Sequence, residues 1–196
     1  MKPENPKPQM KLILASESPR RRDILQKAGF QFEIHAVPVM ELKHSDDPTA
    51  LPLQNALLKA RAAAEDFPHA LTLGADTVVL HGGRILGKPS DERSAEEMLF
   101  SLSGATHEVV TGIALVSPAN NICLNWHETT AVTFKPFSRE TVREYMKLVP
   151  VLDKAGAYGI QEHGDMLLAE MNGELENVIG LPIRKLQKLL MEFGCK

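Results

Sequence analysis

Leu12-Ile13-Leu14-Ala15-Ser16-Glu17-Ser18-Pro19-Arg20-Arg21-Arg22 passes from four apolar residues through a serine–proline break into three arginines. The apolar tetrad predicts a buried strand. Ser18 suits an N-cap, and Pro19 suits the first helical position because its missing N–H would have had no intrahelical partner. A helix start of this kind offers free backbone N–H groups and the positive end of the macrodipole, with guanidinium groups beside them. It is built for several negative charges at once, so a phosphate-rich ligand is the first expectation. On a helix from Pro19 to Ala28, Ile24, Leu25 and Ala28 form the apolar stripe. Arg21 then falls on the core side, Arg20 near the edge of the stripe, and Arg22 in line with Gln26 toward solvent. Arg20 and Arg21 are the ligand candidates. The plainer alternative is that all three arginines merely open an amphipathic helix.

Outward from this junction, Phe30 to Val37 reads as a second strand. A helix is predicted from about Ala50 to Phe67, with Leu53, Ala56, Leu57, Ala60 and Ala64 facing the core and Lys59 off that stripe. Ala70 to Leu80 reads as a strand interrupted by Gly74-Ala75-Asp76-Thr77. Glu92 to Leu102 is a short helix. Val109 to Val116 and Ile122 to Phe134 are two long strands of a meander, and Ser138 caps a helix running to about Leu148. A Gly- and Ala-rich loop, Asp153 to Gln161, precedes a strand near Met166 to Met171. The last helix starts at Pro182, with Gly194 near its end. Strands and helices alternate early and the middle is hairpin-like, which predicts an α/β protein of mixed α+β character with a mixed sheet. Residues 1–9 are expected to be a flexible tail and residues 10–196 a single domain.

The formal net charge of −3 argues against a general nucleic-acid binder. No apolar run approaches the roughly 20 residues needed to span a bilayer, so no membrane association is expected. The N-terminus lacks a secretory pattern, and the cytoplasm is the default compartment. Cys123 and Cys195 form no CxxC pair, and the seven histidines show no zinc-ligand spacing.

Asp76 carries the strongest chemical signal. Aspartate is disfavoured inside strands, and a buried carboxylate is costly unless paired or metal-bound. Flanked by Leu71, Leu73, Val78, Val79 and Leu80, it is a candidate metal ligand or water-activating base. Lys88, held extended by Pro89, could project onto a phosphate or mark a surface turn. In Asp153-Lys154-Ala-Gly-Ala-Tyr158-Gly159-Ile-Gln161, small residues allow close backbone approach to a ligand; charges that simply face water are the alternative. Glu41, by composition alone, reads as a solvated loop residue.

In order along the chain, LILASESPRRRDIL, GADTVV, ILGKPSDERSAEEML, LSGATHEVVTGIALV, ETTAVTF, DKAGAYGIQ and NVIGLPI resemble the Maf family of nucleotide pyrophosphatases, from about Lys11 to Gly194. The resemblance implies an elongated, inosine-triphosphatase-like α/β fold with a strongly twisted mixed sheet and a cleft between two lobes. It implies a homodimer that hydrolyses nucleoside triphosphates between the α and β phosphates, using Mg²⁺ or Mn²⁺. Asp76 matches the proposed catalytic acceptor. Ser16, Arg20 and Arg21 match phosphate-binding positions, Lys59 and Lys88 match the two motif lysines, and Lys154 joins them as a substrate-binding residue. Asp76 and the loop glutamate, Glu41, are the implied metal ligands. The subgroup-determining positions, Arg20, Thr77 and Gln161, resemble those of the dTTP/UTP pyrophosphatases, with 7-methyl-GTP as the alternative substrate. A glutamine amide can donate and accept along the edge of uracil or thymine. The chain departs from the family pattern at Leu148-Val149-Pro150, Glu162 and Glu174-Leu175-Glu176. A nucleotide-binding regulator of septum formation, with weak or no hydrolysis, is the reading from another class.

Overall fold

The computed structural model describes residues 9–196, so the predicted tail lies outside the described residues apart from Gln9. The chain orders β1 (Leu12–Leu14), α1 (Pro19–Lys27), β2 (Glu33–Ile34), α2 (Ala50–Asp66), β3 (Leu71–His81), β4 (Arg84–Leu86), α3 (Glu92–Ser101), β5 (Thr106–Ser117), β6 (Ile122–Phe134), α4 (Arg139–Leu148), β7 (Leu168–Asn172), α5 (Leu175–Ile179) and α6 (Ile183–Glu192). The strands form one mixed sheet in the order β2-β1-β3-β5-β6-β7, with β4 also on β3. β1 is parallel to β2 and β3, and the remaining pairings are antiparallel.

β3 organises the molecule. One of its edges pairs with β5 from Thr72 through Leu80. The other edge has two partners: β1 beside Leu71–Leu73 and β4 beside Val79–His81. Between them, around Asp76, that edge is open. The predicted interruption at Gly74–Thr77 is therefore a gap in the neighbours, since β3 itself runs through without a break. Gly and Asp weaken strand propensity, which made the segment read as broken. Gly74 is there for packing: a Cβ on it would lie 2.1 Å from the Ala56 carbonyl oxygen of α2. On β5, a Cβ on Gly112 would lie 2.3 Å from the Pro52 carbonyl carbon. These two glycines let α2 settle directly onto the sheet backbone. The same contact turns the helix slightly from its predicted stripe. Leu51, Pro52, Asn55, Ala56, Ala60, Ala63 and Ala64 are buried, whereas Leu53 and Leu57 are only half-buried.

Alternation along the strands divides the core. On the α2 face, Ala114 and Val116 meet Ala56, Ala60 and Ala64, while Val78, Leu80 and Val110 meet Leu51. The opposite face carries two separate apolar clusters. One joins β1, α1 and α6 through Leu14, Leu25, Leu73, Ile113, Leu186 and Leu190. The other joins α3 and α4 to the far ends of β3, β5 and β6 through Leu99, Val109, Val132, Phe134 and Val142. These clusters correspond to the expected two lobes.

Smaller expectations change as well. Ser18 stands at the N-cap of α1, but its side chain makes no capping bond. Its N–H instead donates to Ser16 Oγ at 3.3 Å. Ser138 does cap α4, accepting from the Thr141 N–H. The second strand contracts to Glu33–Ile34, and α5 forms where no helix was predicted.

Candidate active site

Asp76 and Thr77 are neighbours in sequence and point to opposite faces of β3 at its open edge. A cavity of about 800 Å³ wraps this edge, lined among others by Arg20, Arg21, Glu41, Lys59, Lys88 and Gln161.

On the α2 face, the Asp76 side chain is 14% exposed, and Lys59 Nζ donates to its Oδ1 at 2.8 Å. Lys59, itself 15% exposed, also meets Glu41 Oε1 at 3.0 Å. Asn55 Nδ2 donates to Asp76 Oδ2 at 3.1 Å. Asn55 and Lys59 lie one turn apart on α2 and reach Asp76 because Gly74 and Gly112 bring the helix so close. Each carboxylate oxygen of Asp76 thus accepts one bond and keeps further lone pairs for a water or a cation.

On the other face, Arg21 is held by three acceptors. Its Nε donates to the Gly180 carbonyl at 2.9 Å, and its two terminal nitrogens donate to Ser16 Oγ at 3.0 Å and Thr77 Oγ1 at 3.2 Å. Burial lowers the Arg21 pKa from its ordinary value, against the opposing pull of Asp76. The chain of polar contacts continues inward. Thr77 and Thr111 hydroxyls share a bond of 2.9 Å, and Thr111 Oγ1 donates to the Asn177 carbonyl at 3.0 Å. Asn177 Nδ2 donates to the Val109 carbonyl and to Thr130 Oγ1. This buried ladder runs between the two apolar clusters. Ser16, 8% exposed, lies beneath the cavity as an anchor for Arg21.

The Asp153–Gln161 loop forms the third wall. Arg20 pairs with Asp153 at 3.0 Å, and Asp153 in turn accepts from Lys154 Nζ at 2.9 Å. Burial alone would raise the Asp153 carboxyl, but hydrogen bonds from Lys154 and Arg20 outweigh it and hold the pKa low. Lys154 is 4% exposed and also faces Glu162 at 3.4 Å, so its charge is already compensated within the loop. Glu162, one of the departures from the family pattern, is thus directed at a lysine. The Tyr145 hydroxyl fastens the loop at Gly159, accepting from its N–H at 3.0 Å and donating to its carbonyl at 3.1 Å. Gln161 and Lys88 are exposed on the cavity wall.

Three contributors escaped the sequence reading. Asn55 sits on the buried face of α2, and a polar residue there, one turn before a lysine, was the available signal. Thr111 and Asn177 had none, because their partners are set by strand register and by the short helix α5. Among the described residues, no three His, Cys, Asp or Glu side chains gather into a metal cage. Asp76 and Glu41 instead converge on the Lys59 ammonium, an all-oxygen pair that suits a hard cation completing its shell with phosphate oxygens and water. Among the described residues, no helix is long and apolar enough to cross a membrane.

The family model described as Maf-like protein matches residues 11–193. A dTTP/UTP pyrophosphatase of Akkermansia muciniphila is 45% identical over 93% of this chain and 96% of its own. One from Symbiobacterium thermophilum is also 45% identical, over 93% and 94%, and one from Bacillus cereus is 44% identical over 94% and 96%. The Staphylococcus aureus Ham1 protein shares the fold at a TM-score of 0.56 and 17% identity, over 93% of this chain and 98% of its own.

Proposed function

The chain belongs to the Maf family, and from that membership we propose that it hydrolyses dTTP and UTP between the α and β phosphates, releasing the monophosphate and pyrophosphate. The relatives' names support the substrate. The observation that carries the chemistry is Asp76, held by Lys59 and Asn55 at the open edge of β3, with cationic side chains around the same cavity.

Arg20 and Lys88 present positive charge to the phosphates, and Arg21, braced by Ser16, Thr77 and Gly180, holds one guanidinium at a fixed place. Lys154 orders the loop around Arg20 through Asp153. Fixed charges of this kind cost no reorganisation as the anhydride breaks. Asp76 and Glu41 are the residues that would hold a divalent cation such as Mg²⁺, which would neutralise phosphate charge. Asp76 also accepts the proton of the attacking water. The water oxygen joins one phosphoryl group, the α–β bond breaks, and pyrophosphate departs. Gln161, exposed on the wall, supplies an amide that can match the donor–acceptor edge of a pyrimidine. Thr77 acts in selection through Arg21, since its hydroxyl is already engaged.

The same membership supports a homodimer working in the cytoplasm, and the net charge of −3 accords with free nucleotides in place of nucleic acid. Pyrophosphate release with Mg²⁺ over a nucleotide panel tests the proposal. The kcat/KM is expected to be highest for dTTP and UTP. Faster turnover of 7-methyl-GTP would contradict the substrate, and binding of UTP without pyrophosphate release would favour a regulator.

A further inference from the structure

Asn55 is 2% exposed, and its amide is spent entirely on the candidate site. Oδ1 accepts from the Leu42 N–H at 2.8 Å, while Nδ2 donates to the Leu42 carbonyl at 3.1 Å and to Asp76 Oδ2 at 3.1 Å. The pair of bonds to Leu42 copies one rung of a β ladder, so the loop after β2 is pinned to α2 by a side chain. That rung adjoins Glu41, whose exposed carboxylate stands 3.0 Å from Lys59.

We propose that Asn55 is a positioning residue that holds Asp76 and the Glu41–Leu42 loop in one arrangement, through Asp76 Oδ2 on one side and both backbone groups of Leu42 on the other. The inference rests on the catalytic reading of Asp76. Its first part, fixing a carboxylate oxygen, should act on turnover. Its second part, fixing the loop, should be visible without any reaction.

Two substitutions separate the parts. Asn55→Leu keeps the approximate shape and removes all three bonds. Asn55→Asp keeps an acceptor for the Leu42 N–H but loses the donor to Asp76 Oδ2 and to the Leu42 carbonyl. Hydrogen exchange of the Leu42 amide reports the loop, with the Leu73 and Ala114 amides as controls for the sheet. In Asn55→Leu, exchange at Leu42 is expected to quicken about tenfold or more while the controls hold. In Asn55→Asp, Leu42 is expected to stay within about threefold of the parent. With UTP and Mg²⁺, both variants are expected to lose about tenfold or more in kcat with KM changed less than about threefold. Unchanged Leu42 exchange in Asn55→Leu overturns the loop role. Full kcat in Asn55→Asp, or a loss confined to KM, overturns the role at Asp76. A parent protein that releases no pyrophosphate refutes the functional reading instead, and Leu42 exchange still decides whether Asn55 holds the loop.

Discussion

The two faces of β3 at its open edge differ in kind. On the Asp76 side, charged groups meet at the mouth of a cavity: Asp76, Lys59 and the exposed Glu41. On the Thr77 side, hydroxyls and amides are bonded in series, from half-buried Thr77 at the cavity to the buried Thr111, Asn177 and Thr130. The first face can exchange partners when a charged ligand arrives, because it opens on the cavity and one of its members, Glu41, is an exposed loop side chain. The second cannot, since Thr111, Asn177 or Thr130 broken out of the series would be left buried without a partner. One strand therefore presents reactive groups on one side and a rigid polar seam between two apolar clusters on the other.

Asp76→Asn should break the contrast most sharply. Turnover of UTP is expected to fall by ~10²–10⁴-fold, the range for loss of a positioned proton acceptor, with a thermal midpoint near that of the parent. Retention of more than about a tenth of the activity, roughly 1.4 kcal/mol, would take Asp76 out of the chemistry.

The quiet face should instead show itself in acid. His107 lies on it, with Nε2 2.8 Å from the Tyr158 hydroxyl. Burial, aided by nearby His81, lowers its pKa from 6.5 to about 4. Below the ordinary value, the unfolded chain takes up a proton that the folded chain refuses. Stability should drop as pH falls from 6.5 to about 4, by about 3 kcal/mol in all. Thermal midpoints over this range should fall less steeply for His107→Gln; an identical slope would remove His107 as the cause.

Gly112→Ala joins the two faces. The added methyl would force α2 off the sheet, and with it Lys59 and Asn55. A stability loss of about 1–3 kcal/mol is expected together with reduced turnover; an unaffected kcat would show that the close approach does not position the site. The smallest effect belongs to Thr111→Val, which leaves the Asn177 carbonyl and the Thr77 hydroxyl short of a partner. Denaturation should read a loss of about 1–3 kcal/mol at nearly constant kcat. A large kcat loss would mean that the seam is catalytic.

Much of this is legible in the sequence. The helical period placed Arg21 inward, and the structure puts it against Ser16, Thr77 and Gly180. The out-of-place carboxylate drew attention to Asp76. Gly74 was visible too, but as a strand breaker, because composition cannot tell a glycine needed for a turn from one needed for a helix to pass close by. Thr111 and Asn177 depend on which residues the register sets side by side, and no local pattern encodes that, whereas Asn55 offered its place on the buried face of α2. The sequence reads Lys154 as a substrate-binding residue or a charge facing water, and only the fold shows it enclosed by Asp153 and Glu162.

The most direct measurement is a crystal structure of Asp76→Asn with UTP and Mg²⁺. The triphosphate should lie across the open edge of β3, with the α–β bridge beside residue 76, phosphate oxygens on Arg20 and Lys88, and the uracil toward Gln161. Phosphates bound elsewhere, with the bridge remote from residue 76, would contradict the account.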